Sequence, residues 1–281
     1  FLSANTAILQ GTIYLWTHNT GISQSGSKYV YSPGDYASYN TTGGTGTTSR
    51  AFNPGNNTAT PTGKIAAGQS FFARAKASGT VVFTNAMRIP GNNNQFFKPG
   101  KTSKTSGLEK HRLWLDLSNN DGAFKQTLIG YIEGATNDYE DNFDGISFDG
   151  NPYVDFYSIN NENKLVIQGR ELPFNNKDII PLGYKSTIVG SFTIGINQTD
   201  GLLDNQAIYL EDKVTQTIHD LKSGNYTFTT QTGTFNDRFV LRYTNNALGT
   251  DDFDNYENGV LVTVLNKIIT VSSSNEILER V

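Results

Sequence analysis

The sequence has no cysteine, one methionine, three histidines and only 17% charged residues. Without cysteine there are no disulfides and no thiolate chemistry, although this absence does not argue for a cytosolic protein. His18, His111 and His219 stand roughly a hundred residues apart, with no His-x-x-His or His-Glu-x-x-His spacing, so no zinc site is expected. No Gly-x-Ser-x-Gly elbow occurs, because Gly68-Gln69-Ser70 runs into Phe71. No glycine loop follows a strand and opens a helix to cradle a phosphate. No apolar run is long enough to span a bilayer, so no transmembrane segment is expected. The 22 Lys and Arg are outnumbered by 26 Asp and Glu and form no basic patch, which argues against nucleic acid as a partner. A glycosidase needs two facing carboxylates. Glu133, Glu171 and Glu211 read instead as exposed strand-end residues, and His219-Asp220 as a turn between strands. The expectation is a protein that is not an enzyme and holds no cofactor, with calcium the one exception weighed below.

What the chain has is aromatic and turn chemistry. Fourteen Tyr and 17 Phe carry much of the apolar content, and 28 Gly, with many Asn-Gly or Asp-Gly pairs, supply tight turns. Richness in Asn, Thr, Gly and Ser with little Lys favours an exported β-protein. The chain opens at Phe1 without a signal-like segment, as a mature or trimmed fragment would.

Strand alternation appears at Gly11 to His18, Lys64 to Ala75 and Thr80 to Thr84, with a Thr/Gly/Asn-rich loop expected over 40–63. Lys98 to Gly107 (KPGKTSKTSG) has no large apolar residue and reads as a linker. Strands then recur about every ten residues, the spacing of a sandwich, at Thr127 to Glu133, Val154 to Ser158, Lys164 to Gln168, Ser191 to Asn197, Ala207 to Glu211, Asn225 to Thr230 and Arg238 to Thr244, with no long helical period. In His111 to Leu117, Leu113, Leu115 and Leu117 share one face and Trp114 takes the other. The predicted fold is all-β: two tandem jelly-roll-like β-sandwich domains over 1–100 and 109–245, a linker over 101–108, and a truncated third β-sandwich over 246–281. The first sandwich is expected to lack its opening strand.

Several long strings carry a resemblance. TIYLWTH, Tyr36-Ala37-Ser38-Tyr39, GKIAAGQSFFARA and FTNAMRIPGNNNQFF resemble a module of large surface proteins of gliding and related Bacteroidota. HRLWLDLSNNDGAFKQTLIGYIEGAT, KLVIQGRELPF, DIIPLGY, IYLEDK and GTFNDRFVLRYT resemble its partner module. The tail LGTDDFDNYENGVLVTVLNKIITVSSSNEILERV resembles the opening of a type A sorting domain, the small β-sandwich read by the type IX secretion system. The resemblance implies secreted or cell-surface cargo that transits the periplasm, with an adhesive or gliding-motility role. It implies the outer-membrane translocon and its shuttle protein as partners, and surface glycans as possible ligands. The alternative is a carbohydrate-binding module or adhesin domain of a larger secreted enzyme.

Four groups of residues stand out as candidate sites. Asp138, Asp141, Asp144 and Asp149, with Glu140 among them, lie in one acidic stretch; carboxylates spaced along a loop can supply the oxygens of a calcium site. The competing reading is two Asp-Gly turns in a solvated hairpin. Asp251, Asp252 and Asp254 read as a solvated linker. Arg170 with the following Glu171, and Asp237 with Arg238, also stand out: Asp237, Arg238, Arg242, Arg170 and Glu211 could form an ion-pair network at the edge of the sandwich, read either as a ligand platform or, preferably, as a device that fixes strand register at the sheet ends. Trp16 and Trp114 could stack on sugars, although tryptophan in strand alternation usually packs into a core.

Overall fold

A computed structural model describes residues 1–17, 23–26, 28–30, 35–47, 60–90, 108–148, 153–245, 260–265 and 268–273. The chain is all-β, with 48% strand and 6% helix. Contacts divide it into two units, Phe1–Thr244 and Asn245–Val281.

In the first unit the strands are β1 (Leu9–Trp16), β2 (Ser23–Ser25), β3 (Lys28–Val30), β4 (Tyr36–Tyr39), β5 (Gly44–Thr45) and β6 (Phe72–Ala75), then β7 (Lys110–Ser118), β8 (Phe124–Ile132), β9 (Gly145–Ile146), β10 (Val154–Asn160), β11 (Asn163–Arg170) and β12 (Ile179–Ser186). β13 (Gly190–Thr199), β14 (Tyr209–Asp212), β15 (Thr217–Asp220), β16 (Tyr226–Thr230) and β17 (Gly233–Arg242) complete it. Among the described residues, β5-β4-β1-β6 form a four-stranded sheet and β2-β3 a hairpin. The other eleven strands form one sheet in the order β15-β14-β17-β12-β10-β11-β8-β7-β13-β16, with β9 beside β11.

The large sheet curls so that its two ends face each other. Phe228, on the terminal strand β16, lies 4.7 Å from Phe239 on β17 and 5.4 Å from Tyr184 on β12. Between the two layers sits one hydrophobic core, in which Leu113, Leu115 and Leu117 from β7 meet Phe156, Leu182, Phe192 and Leu241. The strand period dictates this: residues i, i+2 and i+4 share a face. Trp114 accordingly points the other way, into a small cluster with Leu128, Val166 and Ile167. That outer face is covered by the four-stranded sheet. Trp114 Nε1 donates to Gly44 O at 2.8 Å, and Gly46 N donates to Gln126 Oε1 at 2.9 Å. β8 is therefore buried on both sides.

The all-β class and the opposed faces of β7 stand as expected; other expectations change. The sandwiches expected on either side of 101–108 are not separate bodies, because Phe1–Thr244 is one compact unit whose small sheet lies on the large one. Of the linker, only Leu108 is described. Residues 40–47 are not open loop: Asn40, Thr42, Thr45 and Thr47 are buried. The strand expected at Thr80–Thr84 is absent, and that at Lys64–Ala75 shrinks to β6. His219-Asp220 lies within β15, an edge strand, rather than in a turn. β2 to β5, β9, β12 and β15 were not anticipated as strands. In the second unit, β18 (Val260–Leu265) and β19 (Ile268–Ser273) form an antiparallel hairpin.

Candidate functional site

The acidic stretch is held between the two sheets. Gly11 on β1 and Gly169 on β11 make room for it: a Cβ on Gly11 would collide with Asp141 O and Asn142 Cα, and one on Gly169 with the Phe143 side chain. Four hydrogen bonds tie the loop to the small sheet, all to backbone carbonyls. Thr12 Oγ1 donates to Asp144 O (3.1 Å), Tyr14 OH to Ile146 O (3.0 Å), and Asn40 Nδ2 and Thr42 Oγ1 both donate to Phe143 O (2.9 and 2.6 Å). Asp144 is 2% exposed. Its two oxygens accept from Glu140 N (2.7 Å) and Gly169 N (2.8 Å). Burial nonetheless pushes its carboxyl up to about 7, with the two backbone N–H groups and Arg170 acting in the opposite direction.

The candidate calcium ligands thus have separate destinations. Asp144 is turned inward onto backbone N–H groups. Asp141 pairs with Lys76 at 2.8 Å and accepts from Tyr139 OH at 2.9 Å. Asp138 is exposed. Asp149 lies outside the described residues, as do Asp251, Asp252 and Asp254. No group of three or more His, Asp or Glu side chains is gathered as a ligand set among the described residues.

The proposed ion-pair network resolves into separate pairs. Arg242 pairs with Glu211 (3.1 Å), Arg238 with Asp212 (2.8 Å) and Arg170 with Asp178; Asp237 takes no part in these pairs. Glu133 Oε2 accepts from Glu109 N, and Glu171 Oε1 from Asn137 Nδ2. His111 lies 3.0 Å from Glu109 and accepts from Leu202 N, while His219 Nε2 is 2.8 Å from Gly224 O. His18 lies outside the described residues.

The tryptophans separate. Trp114 is 5% exposed and spends its N–H on Gly44, so it is core and no sugar platform. Trp16 is half-buried in an open aromatic cleft of about 230 Å³, lined also by Tyr36, Ser70 and Phe72. Strand register builds this cleft. Trp16 sits opposite Tyr36, and Tyr14 opposite Phe72, so all four rings share one face of the small sheet. Ile13, Leu15 and Ala37 take the other face. Tyr36 contacts Phe72 edge-on at 5.5 Å and Phe148 at 5.5 Å. Phe72 remains 58% exposed. The cleft is smaller than the roughly 300–1,000 Å³ of drug-sized sites, and suits a single ring lying on aromatic walls. Tyr36, Phe72 and Phe148 were missed from sequence. The available signal was the period-2 placement of Tyr14 and Trp16, but it identifies a face only once its partner strands are known.

No curated protein and no solved structure is significantly similar to the chain. A family model described as a domain of unknown function (DUF8693) matches residues 1–243, ending one residue short of the compact unit's boundary. The chain therefore belongs to the DUF8693 family.

Proposed function

We propose that this chain is an exported, non-enzymatic binding protein of adhesive or motility-related type, carried to the cell surface or medium as cargo of the type IX secretion system. The observation that carries the binding part is the aromatic cleft at Trp16, Tyr36 and Phe72. Exposed rings held in fixed relative positions cost water little to uncover and offer a flat apolar contact to a ring-shaped ligand. A surface glycan is the favoured ligand class. The export part rests on the tail from about Leu248, which resembles the start of a type A sorting domain, and would engage the outer-membrane translocon and its shuttle. A carbohydrate-binding module within a larger secreted enzyme would use the same cleft and is the second reading.

Two experiments test this. On a glycan array, the protein is expected to bind a defined set of glycans, and Trp16→Ala to abolish that binding with the fold intact. Array binding unchanged in Trp16→Ala removes the cleft from the proposal. In the native host, the complete protein is expected in the medium or at the surface, and a version truncated at Tyr243 in the periplasm. Normal secretion of the truncated form defeats the export reading.

A further inference from the structure

A second concavity lies at the far end of β11, where Arg170 leads into the turn Glu171 to Asp178. It is an open groove of about 710 Å³, roughly three times the volume of the aromatic cleft. Its lining is unlike that of the cleft: Glu171, Asn175, Asn176 and Gln206 supply polar groups, and Pro173 and Phe174 supply apolar ones.

Most of these polar side chains are fixed by one atom and presented by the other. Gln206 Nε2 donates to Ala207 O at 3.2 Å and Tyr243 O at 3.1 Å, so its orientation is set and Oε1 is left as acceptor. Glu171 Oε1 accepts from Asn137 Nδ2 at 2.6 Å, which leaves Oε2. Asn175 Oδ1 accepts from Lys177 N at 2.9 Å, which leaves the two N–H donors of Nδ2. Among the described residues, none of these remaining atoms has a hydrogen-bond partner. Phe174 is held edge-on by Tyr131 at 4.7 Å and Tyr243 at 5.0 Å. The result is a set of donors and acceptors beside a rigid ring, whose ordering cost is met by folding and not by binding.

The charge of the groove narrows the ligand. Its one ionisable lining residue is Glu171. The guanidinium of the preceding residue, Arg170, is committed to Asp178, which also accepts from Tyr131 OH at 2.7 Å. Within the lining a carboxylate, sulfate or phosphate would meet the Glu171 carboxylate, while Lys177, the exposed cation of the same turn, lies outside the lining. Vicinal hydroxyls, which both donate and accept, match an amide–carboxylate set, and the C–H face of a sugar ring matches Phe174 and Pro173.

We propose that the groove formed by Glu171, Pro173, Phe174, Asn175, Asn176 and Gln206 is a binding site for a neutral oligosaccharide, separate from the aromatic cleft. The test is an NMR titration of the isotopically labelled full chain with neutral hexaoses (cellohexaose, xylohexaose, mannohexaose, maltohexaose and chitohexaose), with a hexagalacturonate as anionic comparator. At least one neutral hexaose is expected to shift the amides of 171–176 and 206. The double variant Glu171→Ala/Asn176→Ala is expected to weaken that binding about tenfold or more, equivalent to about 1.4 kcal/mol. Both positions are exposed, so the variant should keep the parent spectrum elsewhere. The proposal is overturned if no neutral hexaose shifts these amides, if the shifts are confined to Trp16, Tyr36 and Phe72, or if the hexagalacturonate binds the groove more tightly. It is also overturned if the double variant binds as well as the parent.

Discussion

Within the described residues, the large sheet closes on a core cluster of 21 buried side chains, while the small sheet's own cluster has three: Ile13, Leu15 and Ala37. A fully buried aliphatic or aromatic side chain contributes about 1.5–3 kcal/mol, and a hydrogen bond a net 0.5–1.5 kcal/mol. The large sheet therefore has the apolar burial of an independent domain. The small sheet does not, and instead leans on directional contacts: Trp114 to Gly44, Gln126 to Gly46, and the donors Thr12, Tyr14, Asn40 and Thr42 to the wedged loop. Arg112 adds to the same seam, pairing with Asp200 at 2.5 Å, donating to Thr42 O at 3.3 Å and lying over the Trp114 ring at 4.9 Å. One half of the unit is held by volume and the other by geometry. Mutations should affect the two halves differently.

The largest effect belongs to the main core. Phe239, 1% exposed and packed on Phe228 and Tyr184, should lose about 3–5 kcal/mol as Phe239→Ala. A denaturant melt should show this as one cooperative shift affecting both sheets. If only the small sheet responded, the assignment of the stabilising core would be wrong.

Second comes the wedge. Gly169→Val puts two methyl groups where Phe143 lies, and overpacking of this kind costs typically about 1–3 kcal/mol. Here the cost should appear as detachment of the small sheet. Limited proteolysis is expected to cut within 1–90 while 108–244 stays protected. Uniform protection of both parts would show that the seam tolerates the intrusion.

Third is Asp144. Its folded-state carboxyl is raised to about 7 from an ordinary 3.8, so the folded protein binds this proton more tightly than the unfolded chain. Stability from this group is complete below about pH 4 and falls as pH rises to about 7, by up to about 4 kcal/mol. Asp144→Asn should flatten that slope. It should also cost about 1–3 kcal/mol at pH 5, because the amide nitrogen cannot accept from a backbone N–H, with the gap narrowing by pH 8. Melts at pH 5, 6, 7 and 8 measure both; parallel curves for the two proteins would exclude the raised carboxyl.

The smallest expected effect concerns calcium at the acidic loop. Binding there would require Asp144 to leave Glu140 N and Gly169 N, and Asp141 to leave Lys76. The melting temperature should be the same in calcium and in chelator, because a ligand that binds only the folded state must raise it. A rise in calcium would instead place a cation in the loop.

Much of the large sheet was legible from the residues. The opposed faces of Leu113-Trp114-Leu115, and the positions of β8, β10, β11, β13 and β16, follow from period-2 alternation bounded by turn residues. β15 was hidden because His219-Asp220 reads as turn chemistry, although an edge strand tolerates polar residues on its open side. The polar residues of 40–47 and of the acidic loop misled for one shared reason. Ser, Thr, Asn and Asp are equally at home in solvent and in a buried seam where each meets a specific backbone group. Composition cannot tell those two situations apart.

The candidate sites divide along the same line. The sequence by itself determined an all-β chain without cysteine chemistry, the inward and outward faces of its longer strands, and the presence of many turns. These depend on neighbours in the chain and on a repeat of two residues. Only the tertiary structure decided that Asp144 is buried mortar between sheets, that Trp114 is core while Trp16 borders a cleft, and that Tyr36 and Phe72 join it there. It alone also brought Gln206 beside Glu171 to Asn176. Each of these requires knowing which strand lies next to which, and that is set by long-range pairing and layer packing, for which no local pattern exists.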